Sequence, residues 1–280
     1  MYGSDAIHYP QDEMTTVLLP VTSGCIYNKC TFCSMYKDEE YYEVPLPDIE
    51  KQLMNMYVYT DKIFLVGSDP MSIGFKKMKQ LLDMVHLHLP YCACVASYAA
   101  IRSIFKYSVE ELSILHDAGL RLLYIGFETG RDDILKLMNK GHTVEQAVQQ
   151  AKKLNEANLA FNTIIMYGIA GEGESVDNAI ATAKMINQFT TDRVITMNLV
   201  IMDRSKLREK VKNHEYITSG RKERLIEIKT LLENLEPEQP TIFDTTHPTN
   251  LVRMKGVLPE ERRRLLREIR NHIKAHSRDN

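Results

Sequence analysis

The sequence predicts an α/β fold built on six strand–helix units, and three observations predict it. Short β-branched runs alternate with longer amphipathic stretches along most of the chain. The runs are apolar nearly throughout, as strands covered on both faces are. Helix start and stop signals punctuate the stretches between them. Strands and helices alternating in this way build a mainly parallel sheet, and the pattern by itself leaves a barrel and an open doubly wound sheet both open.

The runs that read as strands are VLLPV at 17–21, KIFLV at 62–66, CACVAS at 92–97, RLLYIGF at 121–127, FNTIIMYG at 161–168 and RVITMNLV at 193–200. Helical patterns lie near 47–58, 74–88, 108–118, 131–139, 143–157 and 173–188. Ser108 with Glu111 forms a capping box, Gly119 closes that helix, and Thr143 with Gln146 repeats the box. After about residue 203 the alternation fades. A helix near 220–235, the Pro-containing EPEQPTIFDTTHPTN and a charged helix at 259–275 follow. The expected division is a core over 1–203 and a mainly helical extension over 204–280, packed on the core and capping it. Within that extension Thr241 to Gly256 is polar and Thr-rich, with Pro240 and Pro248 restricting its backbone, and reads as an ordered loop over the core.

A chain of 280 residues hides about three quarters of its unfolded surface, enough for a large core. With 44% hydrophobic and 26% charged residues, disordered, collagenous and coiled-coil readings fall away. Lys plus Arg number 35 against 37 Asp plus Glu, so the chain is no strongly basic nucleic-acid platform, although a local basic patch has room. No apolar run approaches the roughly 18 residues of a membrane span. The N-terminus lacks the charged start and apolar stretch of a signal peptide. The expected compartment is the cytoplasm, where thiols stay reduced.

The sharpest signal is TSGCIYNKCTFCSMYKD, which sets Cys25, Cys30 and Cys33 in a Cys-x4-Cys-x2-Cys spacing directly after the first strand. In an α/β barrel the loop at a strand's C-terminal end is where active sites lie. Three thiolates within nine residues can reach one metal centre, and a structural zinc site asks for a fourth protein ligand. An iron–sulfur cluster with one open iron, a zinc site and three unrelated core thiols are the three readings of these residues.

The segment resembles the cluster loop of the radical SAM superfamily, whose usual spacing is Cys-x3-Cys-x2-Cys; here one extra residue separates Cys25 from Cys30. Other segments follow in the family's order. VGSDPM at 66–71 resembles the Gly-Gly-Glu-Pro segment, with Ser68 and Asp69 in place of Gly and Glu. GFETG at 126–130 resembles a Gly-Leu-Glu-Ser segment of the coproporphyrinogen-oxidase and Elongator-like branches. LMNKGHT at 137–143 and MYGIAGEGES at 166–175 resemble the segments after it. TIFDTTHPTNLVRMKGVLPEERRRLL resembles the tail of a compact bacterial branch.

The resemblance implies a partial (βα)6 radical SAM barrel, TIM-barrel-like, with a [4Fe–4S] cluster on Cys25, Cys30 and Cys33 and S-adenosylmethionine (SAM) on its fourth iron. It implies that Phe32, Met166 and Gly168 lie near the adenine, and that Ser68 and Asp69 hold the methionyl amino group. Glu128 is implied at the ribose or amino group and Lys140 at the carboxylate. The implied reaction is an oxidoreductase-type chemistry in which SAM is cleaved reductively and a hydrogen atom is taken from a small-molecule or short-peptide substrate. A flavodoxin or ferredoxin would donate the electron; no membrane and no nucleic acid are expected as partners. The alternatives are a metal-binding protein without catalysis and an RNA-modifying radical SAM enzyme.

Remaining residues have ordinary readings beside functional ones. Tyr98 and Arg102 end the third strand, where a substrate is met, and His247 with Asn250 lies in the loop that leans over the core. Each could equally pack or face solvent. Cys92 and Cys94, two apart on the third strand, share a face with Ala96 and Tyr98; they read either as an auxiliary thiol pair, cluster ligands or a hydrogen-atom donor, or as buried cysteines that behave as small hydrophobes. RKER at 221–224 and EERRRLLREIR at 260–270 read as solvated helix faces, with RNA binding the other reading.

Overall fold

A computed structural model describes residues 9–56 and 58–276. These residues fall into two compact units: the first takes the described residues up to Asn28, those of Met35–Ile125, and Lys153–Phe161; the second takes Lys29–Ser34, Gly126–Lys152 and the described residues from Asn162 onward.

In the first unit the chain runs through β1 (Val17–Pro20), β2 (Thr22–Ser23), β3 (Tyr42–Glu43), α1 (Leu46–Met54), β4 (Lys62–Val66), α2 (Phe75–His88), β5 (Cys94–Ala99), α3 (Ile101–Ile104) and α4 (Val109–Asp117) into β6 (Leu120–Glu128). The long strands pair in parallel, with Leu19 opposite Leu65 and Phe64 opposite Ala96; β2 and β3 form a short antiparallel ribbon. Leu19, Phe64, Leu65, Ala96, Leu123 and Ile125 are all buried, which accounts for the unbroken apolar runs. The Ser108 box is present in both directions: Glu111 N–H donates to Ser108 Oγ at 3.1 Å and Ser108 N–H to Glu111 Oε2 at 3.0 Å. Gly119 follows at φ +105°, as a helix-closing glycine does.

The second unit carries α5 (Asp132–Leu137), most of α6 (Val144–Glu156) and β7 (Ala160–Tyr167), then α7 (Ser175–Ile186), β8 (Arg193–Asn198), α8 (Lys206–Lys212), α9 (Arg221–Asn234), β9 (Thr241–Asp244), β10 (Lys255–Leu258) and α10 (Arg262–His276). The Thr143–Gln146 box is also made both ways, at 2.9 and 3.2 Å. Strands β7 and β8 pair in parallel with Ile164 opposite Ile195, β9 adds in parallel to β8, and β10 returns antiparallel. Helix α9 packs on α7 through Leu225, Ile228, Leu231 and Leu232 against Ala179, Ala183 and Ile186, all buried. Each leucine or isoleucine buried there contributes about 1.5–3 kcal/mol. The sheet order is β1-β4-β5-β6-β7-β8-β9-β10, so the fold class is the α/β one expected, with a C-terminal extension that is mainly helical.

Two readings need correction. The stretch from Thr241 to Gly256 is not loop throughout: Thr241–Asp244 and Lys255–Leu258 are strands, because Phe243 and Leu258 are fully buried and the backbone of β9 completes the edge of β8. Only 245–254 crosses between them. Cys92 also precedes its strand, since its N–H bonds to Leu89 O in a turn and β5 begins at Cys94.

Candidate functional site

The first unit holds Cys25 on a turn that residue type enforces. Gly24 has φ +65°, and a Cβ there would lie 2.5 Å from Glu40 O, so only glycine fits. Asn28, at φ +43°, donates its N–H to Cys25 Sγ at 3.4 Å and its side-chain amide to Tyr36 O at 2.7 Å. Ser68 Oγ donates to Gly24 O at 2.8 Å, which joins the segment after β4 to the cysteine turn. Next to it, buried Asp69 is held on both oxygens: Ala100 N–H donates at 3.2 Å and Ser103 Oγ at 2.5 Å. Arg102 stands 4.5 Å above the ring of Tyr27, a cation–π contact two residues from Cys25. Ser68, Asp69 and Arg102 are thus gathered around this turn. Tyr98 packs edge-on to Phe64 and Tyr124, and burial raises its phenol well above the usual value.

The second unit holds Cys30, Phe32 and Cys33. Cys33 N–H bonds to Cys30 O at 3.3 Å, Thr31 N–H to Met138 O at 2.8 Å, and Leu207 N–H to Thr31 O at 2.8 Å. Lys140 Nζ is 2.5 Å from Glu128 Oε1 and 5.8 Å from the centre of the Phe32 ring. Burial opposes the charge of Lys140, yet the Glu128 carboxylate and the sulfurs of Cys30 and Cys33 outweigh it and raise the ammonium above its ordinary value. Glu128 itself sits at φ +67°, a conformation a non-glycine residue adopts only under constraint. Met166 and Phe32 pack against one apolar cluster around Ile134, Met138 and Ile169.

Gly168, just past β7, has φ +80°, and a Cβ there would press on Arg224 at 2.9 Å. Its N–H donates to Glu227 at 2.8 Å, and Tyr216 donates to its carbonyl at 2.8 Å. His247 turns to its own loop: its Nδ1 lies 2.8 Å from Thr249 Oγ1, and burial lowers its basicity. Asn250 donates to Thr196 O at 2.7 Å and Thr245 O at 2.9 Å, and Leu251 N–H bonds to Tyr167 Oη at 2.9 Å. Sequence reasoning missed Tyr27, Asn178, Tyr216, Arg224 and Glu227. Of these, Glu227 alone held a signal, as a carboxylate set between Leu225–Ile226 and Ile228 in the sequence.

The donor set fits an iron–sulfur cluster. None of the three cysteines is in a disulfide and all are partly exposed, Cys25 accepts a backbone N–H, and a cation stands beside Cys30 and Cys33. Such N–H···S bonds and nearby positive charge favour thiolate ligands. Among the described residues no three Cys, His, Asp or Glu side chains gather as a single metal ion requires.

The sequence profile of the radical SAM superfamily matches residues 19–183, more than half of the chain. The chain belongs to the radical SAM superfamily. It is therefore an enzyme, of a family whose cofactors are a [4Fe–4S] cluster and SAM. The heme chaperone HemW of Bacillus subtilis (strain 168) is 26% identical over 168 residues, covering 57% of this chain and 42% of HemW. A tRNA-2-methylthio-N(6)-dimethylallyladenosine synthase from Hahella chejuensis (strain KCTC 2396) is 24% identical over 199 residues, covering 67% of this chain and 44% of that protein. The chain thus spans less than half the length of these relatives. Among solved structures, coproporphyrinogen III oxidase (HemN) from Escherichia coli superposes with a TM-score of 0.53 at 14% identity, over 71% of this chain and 52% of HemN. Methylornithine synthase (PylB) does so at 0.57 and 13%, over 94% and 81%. The resemblance to the coproporphyrinogen-oxidase branch is borne out at the level of fold. The expectation of no nucleic acid draws no support, because one relative's name is that of a tRNA enzyme. Among the described residues no helix is long and apolar enough to cross a membrane.

Proposed function

We propose that this chain binds a [4Fe–4S] cluster through Cys25, Cys30 and Cys33, cleaves SAM reductively, and abstracts a hydrogen atom from a small-molecule or short-peptide substrate. When bound, the cluster supplies the electron and SAM the adenosyl group that takes the hydrogen. The observation that carries this reading is Lys140, a largely buried ammonium, its side chain 18% exposed, placed beside Cys30, Cys33, Phe32 and Glu128 at once. An ammonium there is a counter-charge for the carboxylate of an amino acid, and Glu128 beside it accepts from ribose hydroxyls or an ammonium. Ser68 and Asp69 orient the methionyl amino group, while Phe32, Met166 and the Gly168 turn take the adenine. Tyr98, Arg102 and His247 meet the substrate, and the extension from 204 onward caps the site and excludes water. The reductant is a flavodoxin or ferredoxin.

Anaerobic reconstitution with iron and sulfide, followed by reduction and quantification of 5′-deoxyadenosine and methionine, tests the proposal. Brown protein that forms both products without added substrate is expected. Colourless protein holding one tight zinc would end it.

A second reading, RNA modification, draws on the tRNA relative and on α10. Arg263, Arg267, Arg270 and Lys274 line one exposed face of that helix, and Arg270 pairs with Glu233 at 3.0 Å. Binding of tRNA whose affinity falls with salt as about four phosphate contacts require would favour it. Salt-independent or absent binding dismisses it.

A further inference from the structure

We propose that Glu227, on α9 and beyond the stretch that matches the superfamily profile, is a positioning residue for SAM: it fixes the Gly168 turn and, through Asn178 and Thr129, the end of β6 at Glu128. This rests on the reading above that those two segments contact SAM.

The geometry is a closed relay of buried groups. Glu227 is 2% exposed, Asn178 2% and Thr129 0%. Glu227 Oε2 accepts the Gly168 N–H at 2.8 Å, and Oε1 accepts Asn178 Nδ2 at 2.7 Å. Asn178 Oδ1 in turn accepts Thr129 Oγ1 at 2.5 Å. Thr129 follows Glu128 in the chain, and Glu128 holds Lys140. One carboxylate on α9 therefore ties together the tips of two strands through a residue of α7. The turn is gripped from its other side as well. Tyr216 Oη donates to Gly168 O and Ile169 O, and Arg224 reaches Asn198 Oδ1 at 2.7 Å and Leu199 O at 3.0 Å.

Chemistry explains why the residue is a carboxylate. Two N–H donors converge on its two oxygens, and an ionised carboxylate accepts at both ends. A neutral amide of the same shape would set its NH2 against one of the donors. An apolar residue would leave both donors without a partner, at about 1–3 kcal/mol each. Burying the charge carries a cost. Burial raises the Glu227 carboxyl to about 7, against hydrogen bonds from Asn178, Gly168 and Ser175 and the charge of Arg224 that lower it. Besides these groups, Tyr167 and Tyr216 feel its charge. Protonation turns one acceptor into a donor facing an N–H, so the turn loosens as pH falls through this range. The relay makes SAM affinity pH-dependent where ordinary glutamates have long since ionised.

The test is isothermal titration of SAM into anaerobically reconstituted wild type, E227Q and the double variant E227Q/N178D between pH 6 and 8.5, with iron content and near-UV circular dichroism recorded for each. Wild type should bind SAM up to about tenfold more weakly at pH 6 than at pH 8, the limit for one group titrating near 7. E227Q should bind about tenfold more weakly than wild type at pH 8, keep its iron, and show this part of the pH dependence removed. The double variant should recover, because the relay then runs in the opposite sense: the new amide carbonyl takes the Gly168 N–H, its NH2 donates to the new carboxylate, and that carboxylate accepts Thr129. A merely structural role would lower the melting temperature without changing the pH profile of binding. Wild-type affinity and pH profile in E227Q would overturn the proposal, as would an E227Q defect that the double variant leaves untouched. Should E227Q fail to hold its cluster, a wild-type affinity that is flat from pH 6 to 8.5 overturns it alone. A wild type that carries its cluster and binds no SAM instead overturns the proposed function on which this inference stands.

Discussion

Replacing Lys140 with Met removes a cation from a pair that has little water to fall back on. Lys140 Nζ and Glu128 Oε1 are 2.5 Å apart, with side chains 18% and 8% exposed. Removing one partner of a buried ion pair costs about 3–5 kcal/mol, because the other charge is left uncompensated. The residual exposure of Lys140 places this pair near the lower end, at about 3 kcal/mol. For a chain of this size each kcal/mol shifts the thermal midpoint by roughly 2–4 °C, so K140M should melt about 6–12 °C below wild type. E128Q/K140M carries no charge at either position and should regain most of that loss, giving a coupling energy well above the scatter of independent sites. Circular dichroism melts of the four members of the cycle, at fixed pH and salt, measure it. If the loss in E128Q/K140M equals the sum of the losses in E128Q and K140M, the two side chains are not coupled. The claim that Glu128 holds Lys140 beside Cys30 and Cys33 would then fail.

Replacing Cys25, Cys30 or Cys33 by Ala should remove nearly all iron from reconstituted protein, while C92A/C94A keeps it; iron analysis per chain decides. The raised carboxyl of Glu227 means that the native chain keeps this proton to higher pH than the unfolded chain does. Its contribution to stability is therefore fully present below about 4.5 and is lost as pH rises to about 7, by up to about 3 kcal/mol, and urea titrations should show E227Q without that slope. H247A should leave cluster content and slow uncoupled SAM cleavage intact while turnover on the true substrate falls at least about a hundredfold, the size of loss a displaced positioning group brings. Equal turnover would return His247 to an ordinary loop role.

What the sequence revealed and what it hid divide along the range of the interaction. The capping boxes at Ser108 and Thr143 were legible because donor and acceptor lie three residues apart. The six long strands were legible because Phe64, Leu123 and their neighbours are buried on both faces and leave an apolar run. Strands β9 and β10 were hidden, since only β8 alongside makes a strand of four residues with a threonine and an aspartate in it. At the candidate site, the cysteine spacing singled out the proposed cluster ligands, and the resemblance singled out Glu128 and Lys140. Neither could show that these two first satisfy each other, or that the oxygens of Asp69 are taken by Ala100 and Ser103. Glu227 lies 59 residues from the amide it holds, and no local pattern marks such a pair.

The same long-range bonds bear on how a superfamily fold acquires a site of its own. The matched stretch ends at residue 183, yet polar groups within it or beside it are satisfied from further along. Thr31, between two cysteines, accepts the N–H of Leu207, and Ser34 donates to Asp203 O at 2.6 Å. Gly168 is held by Tyr216 and Glu227, and Tyr167 Oη accepts the N–H of Leu251. Left without these partners, each buried group would cost about 1–3 kcal/mol, and together that rivals the whole stability of an ordinary domain. The cysteine loop and the Gly168 turn of this chain are thus shaped by residues outside the part it shares with the superfamily profile. Substitutions among Tyr216, Arg224 and Glu227 can therefore retune the Gly168 turn, the one proposed to meet SAM, without touching any residue of the shared motifs.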